Sequence, residues 1–226
     1  MEEGDLKELR YKEIENNKEI NAYLKKGDAN LGQLGFTDHS EAHCVQVAHQ
    51  AGKILKRFGY SEHDIELVKI AGYMHDIGNA INRTHHAEYG ALLANDLLKD
   101  TDMSLEDRIT VISAIGNHDE STGSPEDVIS AALIIADKTD VRRSRVRQKE
   151  KSAFDIHDRV NYAVEESTVE LSEDHTSVLL KLKIDTSISP VMDYFEIFLE
   201  RMTLCRKAAD KLGLSFRLDI NGQAQL

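Results

Sequence analysis

The chain has 226 residues, with 40 aspartates and glutamates against 28 lysines and arginines, and a formal net charge of −12 at pH 7. That balance argues against general nucleic-acid binding, which leans on basic surface, and no apolar run approaches the ~20 residues of a membrane span. Tryptophan is absent and aromatics make up 6% of the chain, so aliphatic side chains must supply most of a core that the length places in one domain, with room for a small appendage.

The opening MEEGDLKELRYK is charged and lacks the apolar region of a signal peptide. Together with only two cysteines, Cys44 and Cys205, this predicts a reduced, cytoplasmic protein with neither nucleic acid nor membrane as a partner. Residues 5–26 carry Leu6, Leu9, Ile14, Ile20, Tyr23 and Leu24 among charges, a loosely amphipathic helix that Gly27 is expected to end. The glycine-bearing stretch GDANLGQLGFT then reads as a loop leading to a second helix, from about Asp38 to Phe58, stopped by Gly59. Ser61 and Asp64 form a capping box for the third helix. The fourth spans roughly Thr84 to Lys99, and Ser104 with Asp107 caps a fifth that ends near His118. Ser124 and Pro125 mark the start of a sixth, predicted to run through EDVISAALIIADKTDVRRSR.

After about residue 155 the pattern changes. RVNYAVEESTVEL and TSVLLKLKID alternate and are rich in β-branched residues, with SEDH between them, which predicts a hairpin. SPVMDYFEIFLERMTLCRKAADKL has helical periodicity and a Gly213 stop, and LSFRLDI closes as a strand. The expected fold is therefore mainly α: a helical domain over residues 1–154 followed by a small β-β-α-β unit over 155–226. The apolar face of DYFEIFLERM packs on its own hairpin or serves a homo-oligomer.

Within the third helix, VKIAGYMHDIGNA (residues 68–80) places His75 and Asp76 at the end of an apolar segment. An ionised carboxylate buried there is costly unless something pairs with it. The His-Asp dipeptide occurs four times. At His63-Asp64 helix capping explains it, and at His157-Asp158 the adjacent Arg159 offers a solvated partner. His118-Asp119 follows an apolar helix, but only His75-Asp76 is wrapped in apolar residues. Eight of the ten histidines fall between positions 39 and 118, and His39 and His43 share a helix face. Imidazoles and carboxylates thus cluster at helix ends, a donor mixture that suits Mn, Fe, Co, Ni or Zn better than Mg or Ca. A single helix histidine is more often a surface or hydrogen-bonded core residue, and His49 and His63 are read that way.

The ordered set HCVQVA, AGYMHDIGN, HAEYGALL, NHDESTGSP and IIADKTD resembles the HD superfamily of metal-dependent phosphohydrolases, over roughly residues 37–147. The resemblance implies a first metal held by His43, His75, Asp76 and Asp137. It implies a second held by His86 and His118, with Asp76 bridging the two ions and serving catalysis. His39 and Asp119 are placed behind these ligands. The cofactor would be a divalent transition metal, two per chain, activating water against a phosphomonoester or phosphoanhydride. The substrate would be a small phosphorylated molecule, a nucleotide by preference. Lys138 and Arg142, the latter expected one turn further along the same helix, are candidates for its phosphate, with Arg145 behind them. Two departures from the cyclic-dinucleotide branch stand out: Asp119 follows His118 where that branch has a second histidine, and GSP replaces Gly-Tyr-Pro. Asn79 also stands where a lysine commonly follows the His-Asp-Ile-Gly run. Two other readings of the same resemblance are a di-iron oxygenase and a non-catalytic metal-binding sensor or scaffold.

Overall fold

The computed structural model describes residues 10–148 and 150–225. Residues 10–15 are helical, and Asn17 then caps α1 (Lys18–Gln33), its side chain accepting from the Glu19 and Ile20 N–H groups. Leu6 and Leu9 lie outside the described residues. Gly27 does not end this helix. It faces inward, where a Cβ would stand 3.1 Å from the Ala80 nitrogen and the Asn79 Cβ. Its missing side chain serves packing between helix and turn, so the loop expected from GDANLGQLGFT shrinks to its last few residues.

Five more helices complete the first half: α2 (Glu41–Arg57), α3 (Glu62–Met74), α4 (His86–Leu98), α5 (Leu105–Gly116) and α6 (Val128–Lys138). The Ser61–Asp64 capping box is formed in full. Ser104 likewise accepts from the Asp107 N–H, but the Asp107 carboxylate turns instead to His63, 2.8 Å away, and Arg10, 3.7 Å away. The sixth helix is shorter than expected at both ends. It starts at a capping box between Asp127 and Ser130 rather than at Ser124-Pro125. It stops at Lys138, where Thr139 turns its hydroxyl to the Ile135 carbonyl at 2.6 Å and the chain becomes extended by Arg142. Arg142 is therefore not on this helix.

Residues 159–163, expected as the start of a strand, belong to helix α7 (Ile156–Ala163), with Asp155 accepting from the Asp158 N–H. Ile156, Val160 and Ala163 fall on one helical face, and the last two are buried. Arg159 pairs with Asp193 at 3.1 Å rather than with Asp158. Beyond it come β1 (Val164–Leu171), β2 (Ser177–Ile184), α8 (Val191–Lys211) and β3 (Ser215–Ile220). A two-residue strand β4 (Gln223–Ala224), not anticipated, returns over an Asn221-Gly222 turn with both φ angles positive (55° and 79°), the geometry that suits Asn-Gly hairpins. The sheet order is β1-β2-β3-β4; β1 and β2 are antiparallel, while α8 carries the chain across to make β2 and β3 parallel.

The fold is mainly α with a small C-terminal α+β unit. One hydrophobic cluster runs through both parts, from Val47, Ile70 and Ile134 to Leu180, Phe198 and Leu218. Cys44 and Cys205 are buried in it as free thiols. No helix among the described residues is long and apolar enough to cross a membrane.

One close approach fixes where α3 and α4 meet. Gly78 lies in the 3-10 turn after α3 (Ile77–Ala80), and a Cβ there would fall 2.0 Å from the His86 carbonyl oxygen and 2.5 Å from the Gly90 nitrogen. The turn is thus pressed backbone to backbone against the first turns of α4, locking Asp76 to His86. Gly78→Ala is expected to destabilise the protein by about 3 kcal/mol in urea unfolding, since neither backbone can yield. A variant of wild-type stability would show that the turn can move away from α4.

Candidate metal centre

Each candidate arrives from a different element. His43 sits in the first turn of α2, His75 caps the end of α3, and Asp76 leads into the 3-10 turn. His86 opens α4 after His85, whose φ of 61° swings the chain into the helix. His118 follows α5, and Asp137 lies in the last turn of α6. All six are buried. The imidazoles of His39, His43, His75, His118 and His86 form a row of edge-to-face contacts with centroids 5.0–5.7 Å apart.

Ligand-type atoms converge in two groups that share Asp76, and a third triad of His75, His118 and Asp137 links them. In the first, His43 Nε2 and His75 Nε2 lie 3.8 and 3.3 Å from Asp76 Oδ2, and 3.3 and 3.6 Å from Asp137 Oδ1. In the second, His86 Nε2 lies 3.2 Å from His118 Nε2 and 3.7 Å from Asp76 Oδ1. The two oxygens of Asp76 therefore face different groups. An ion bound at about 2.1 Å holds neighbouring ligand atoms roughly 3.0–3.4 Å apart, so these spacings need to close only slightly.

The hydrogen bonds behind the ligands fix their tautomers. His43 Nδ1 is 2.7 Å from Asp140 Oδ2, His75 Nδ1 is 2.8 Å from the Gly72 carbonyl, His86 Nδ1 is 3.1 Å from the Arg83 carbonyl, and His118 Nδ1 is 2.6 Å from the Ile115 carbonyl. Carbonyl and carboxylate oxygens only accept, so each Nδ1 must donate. In the neutral ring each Nε2 is then a lone pair aimed at the interior, and His86 and His118 would set two lone pairs against each other. His43 Nε2, His75 Nε2 and Asp76 Oδ2 are buried without a hydrogen-bond partner. Buried polar atoms are rarely left so, and three of them at one point ask for a cation. The residues present fit a metal.

The charges agree. Burial works against ionising Asp76, but His75, His39 and His86 outweigh it and hold its carboxyl well below the usual range. Burial likewise opposes charge on Asp137, and Lys138, His43 and His75 overcome it. His75 loses by burial and gains more from Asp76 and Asp137, so its pKa is pushed up to about 10. His118 is pushed down to about 3 by burial, with Lys138 and His86 adding to the effect.

The remaining predicted residues divide. His39 abuts the His43 ring edge, but its Nδ1 bonds the Thr37 carbonyl at 2.7 Å. Asp119 Oδ2 stands 3.7 Å from His86 Nε2, and its other oxygen accepts from the Ser121 N–H and hydroxyl. Lys138 is buried, 2.8 Å from both Asp137 Oδ2 and Glu120 Oε2. Arg142 forks onto Asp140 at 2.5 and 2.9 Å. Arg145 is buried against the backbone carbonyls of Asp38 and Asp140. All three cations thus have partners within the protein.

Three residues carry no signal in the sequence that marks them for the site. Asp140, three positions after Asp137, anchors His43; Asn79 donates to Asp76 Oδ1 at 2.7 Å; and Glu120 joins Lys138 to Arg201. Burial raises the Glu120 pKa, but Lys138 and Arg201 depress it further, well below its ordinary 4.5. A depressed folded pKa contributes stability that is present above the unfolded value and lost as pH falls through the folded one. Glu120→Gln should therefore lower the Tm of the metal-free protein at pH 7 and flatten its fall below about pH 4.5. Thermal unfolding in chelator reads this directly, and an unchanged acid profile would show that the Lys138–Arg201 link contributes nothing.

A cavity of about 860 Å3, lined by Lys53, Arg57, Leu179 and Arg217 among others, lies between the end of α2 and the β1–β2 hairpin and includes none of these ligands. Its shape is a surface recess; the chemistry is in the buried histidines.

Residues 41–160, more than half of the chain, match the HD domain. The chain belongs to the HD domain family, whose members are generally metal-dependent hydrolases. It is 30% identical to an uncharacterised protein, MJ1020, of Methanocaldococcus jannaschii over 171 residues, 65% of each chain. It is also 30% identical to Ribonuclease Y of Bacillus pumilus and 29% identical to Ribonuclease Y of Staphylococcus epidermidis, each over 126 residues. Those stretches are 53% of this chain and only 22% of each Ribonuclease Y.

Proposed function

We propose that the protein is a metal-dependent phosphohydrolase that cleaves a phosphomonoester or phosphoanhydride of a small nucleotide. The observation that carries this reading is the convergence of His43 Nε2, His75 Nε2 and Asp76 Oδ2, three buried atoms with no other partner. His43, His75, Asp76 and Asp137 would hold one divalent transition metal, and His86 and His118 a second, with Asp76 offering one oxygen to each. When bound, such ions make water nucleophilic near neutral pH and neutralise charge gathering on the phosphoryl oxygens. The protein's own part is to hold the ligands. Asp140 keeps the His43 ring turned with Nε2 inward, and the Gly72, Arg83 and Ile115 carbonyls do the same for His75, His86 and His118. Asn79 orients Asp76, while Lys138 steadies the outer oxygen of Asp137.

The likeness to Ribonuclease Y brings phosphodiesters into consideration, but a net charge of −12 favours a small substrate over a polyanion. Residues 1–154 would then be the metal-binding unit, and 155–226 the unit that packs α8 against α6 behind Asp137. The test is phosphate release from nucleoside mono-, di- and triphosphates by protein loaded with Mn, Co, Fe or Zn, with an RNA oligonucleotide as the diester arm. Release that depends on metal supports the reading. Full metal occupancy without release from any of them defeats it, and oxygen uptake by the iron-loaded form would favour an oxygenase instead.

A further inference from the structure

The cations expected to meet the substrate phosphate are already paired, Lys138 with Asp137 and Glu120, and Arg142 and Arg145 with Asp140; Arg201, for which no such place was expected, pairs with Glu120. Arg83 is different. It lies in the loop between the 3-10 turn and α4, half-buried, three residues before His86. It brackets that ring. Its carbonyl accepts from His86 Nδ1 at 3.1 Å, and its guanidinium Nη1 stands 3.4 Å from His86 Nε2 and 3.5 Å from Asn79 Oδ1. Both side-chain contacts are at the long limit of hydrogen bonding. Among the described residues Arg83 has no carboxylate partner, and neither its Nε nor its Nη2 has a partner of any kind.

A second contact holds the guanidinium over the site. Its carbon lies 5.5 Å from the ring centroid of Phe36, a cation–π distance, and Phe36 is itself 41% exposed. The side chain is therefore held between the His86 imidazole and Phe36, with N–H groups to spare. His86 Nε2, on which it leans, is a lone pair that the second ion would take. A guanidinium with several free donors matches two phosphate oxygens at once.

We propose that Arg83 binds the phosphate oxygens of the substrate beside the His86–His118 group, and that Phe36 positions its guanidinium. This rests on the phosphohydrolase reading and adds to it an anion subsite made by this chain's own side chains. It also locates the substrate: the scissile phosphate enters from the Phe36 side, with its oxygens spanning Arg83 and the second ligand group.

The experiment is calorimetric titration of inorganic phosphate into the Mn-loaded full chain. Arg83→Ala should weaken phosphate binding by roughly tenfold or more with Mn equivalents unchanged, because a charge-assisted, two-pronged contact is removed. Arg83→Lys should recover part of the loss, and Phe36→Ala should weaken binding by roughly threefold. Arg83→Gln, a shorter uncharged side chain that keeps a polar amide in the loop, guards against a folding defect and should behave like the alanine variant. Wild-type affinity in Arg83→Ala, no phosphate binding by the wild type, or a loss seen only in variants that also lose Mn would overturn the proposal. Because binding is read without turnover, the two readings fail separately. Normal loss in Arg83→Ala with no hydrolysis by the wild type sinks the phosphohydrolase and keeps the anion site. Hydrolysis with unchanged phosphate affinity does the reverse.

Discussion

Asp76→Ala is expected to abolish metal uptake at both ligand groups at once, and hydrolysis with it by roughly a thousandfold or more. Asp76 faces the two groups with different oxygens: Oδ2 lies toward His43 and His75, and Oδ1 toward His86. The metal-free fold should survive, because the substitution removes a buried charge instead of stranding one. The wild type should gain thermal stability on adding Mn, by the ordinary linkage of a ligand that binds the folded state, and the variant should gain none. Elemental analysis and melting curves with and without Mn check this together. A variant that keeps two equivalents of metal would rule out the bridge.

The second large effect is expected at Asp140, whose carboxylate holds the candidate ligand His43. Its Oδ2 accepts from His43 Nδ1 at 2.7 Å and thereby fixes both the tautomer and the ring plane of His43. Burial opposes the Asp140 charge, but the His43 bond and Arg145 hold the carboxyl well below its usual range. Loss of such an outer partner typically weakens metal affinity by roughly 10–100-fold. Asp140→Asn should show that loss with the fold kept, since an amide oxygen still accepts from His43. Asp140→Ala should add a stability defect of about 2 kcal/mol over the Asn variant, because His43 Nδ1 is then buried with no acceptor. Competition with a chromophoric chelator measures the affinity, and urea unfolding the stability. Unaltered metal affinity in both variants would mean that packing alone orients His43.

Local signals were legible where they act within a few residues. The Ser61–Asp64 box, the ends of α2 and α8, the β1–β2 hairpin and the β2–α8–β3 order all follow from short-range rules of capping, periodicity and turn chemistry. The errors share a different cause. Gly27 looked like a helix stop because glycine is a poor helix former, yet the backbone of the 3-10 turn needs the space its side chain would fill. Residues 159–163 alternate well enough to begin a strand, but Val160 and Ala163 also make a helical stripe with Ile156, and burial of that stripe decided the matter. The end of α6 was invisible for a related reason: nothing in KTDVRRSR forbids a helix, but Asp140 leaves the helix and reaches His43, 97 residues earlier.

The order of imidazoles and carboxylates along the chain, and with it the family, was settled before folding, because ligand identity and spacing are covalent facts that no packing alters. Which atoms face one another was settled in three dimensions. Packing turned four Nε2 atoms inward by giving every Nδ1 an acceptor, split the two oxygens of Asp76 between two groups, paired Lys138, Arg142 and Arg145 with internal partners, and left Arg83 between His86 and Phe36. The contacts of His43 with Asp140, His86 with Asp76, Lys138 with Glu120 and Arg83 with Phe36 join separate parts of the chain, and the remaining hydrogen bonds among them are made within five residues. Their energies depend on burial and on the competing charges nearby, which a linear order of residues does not contain.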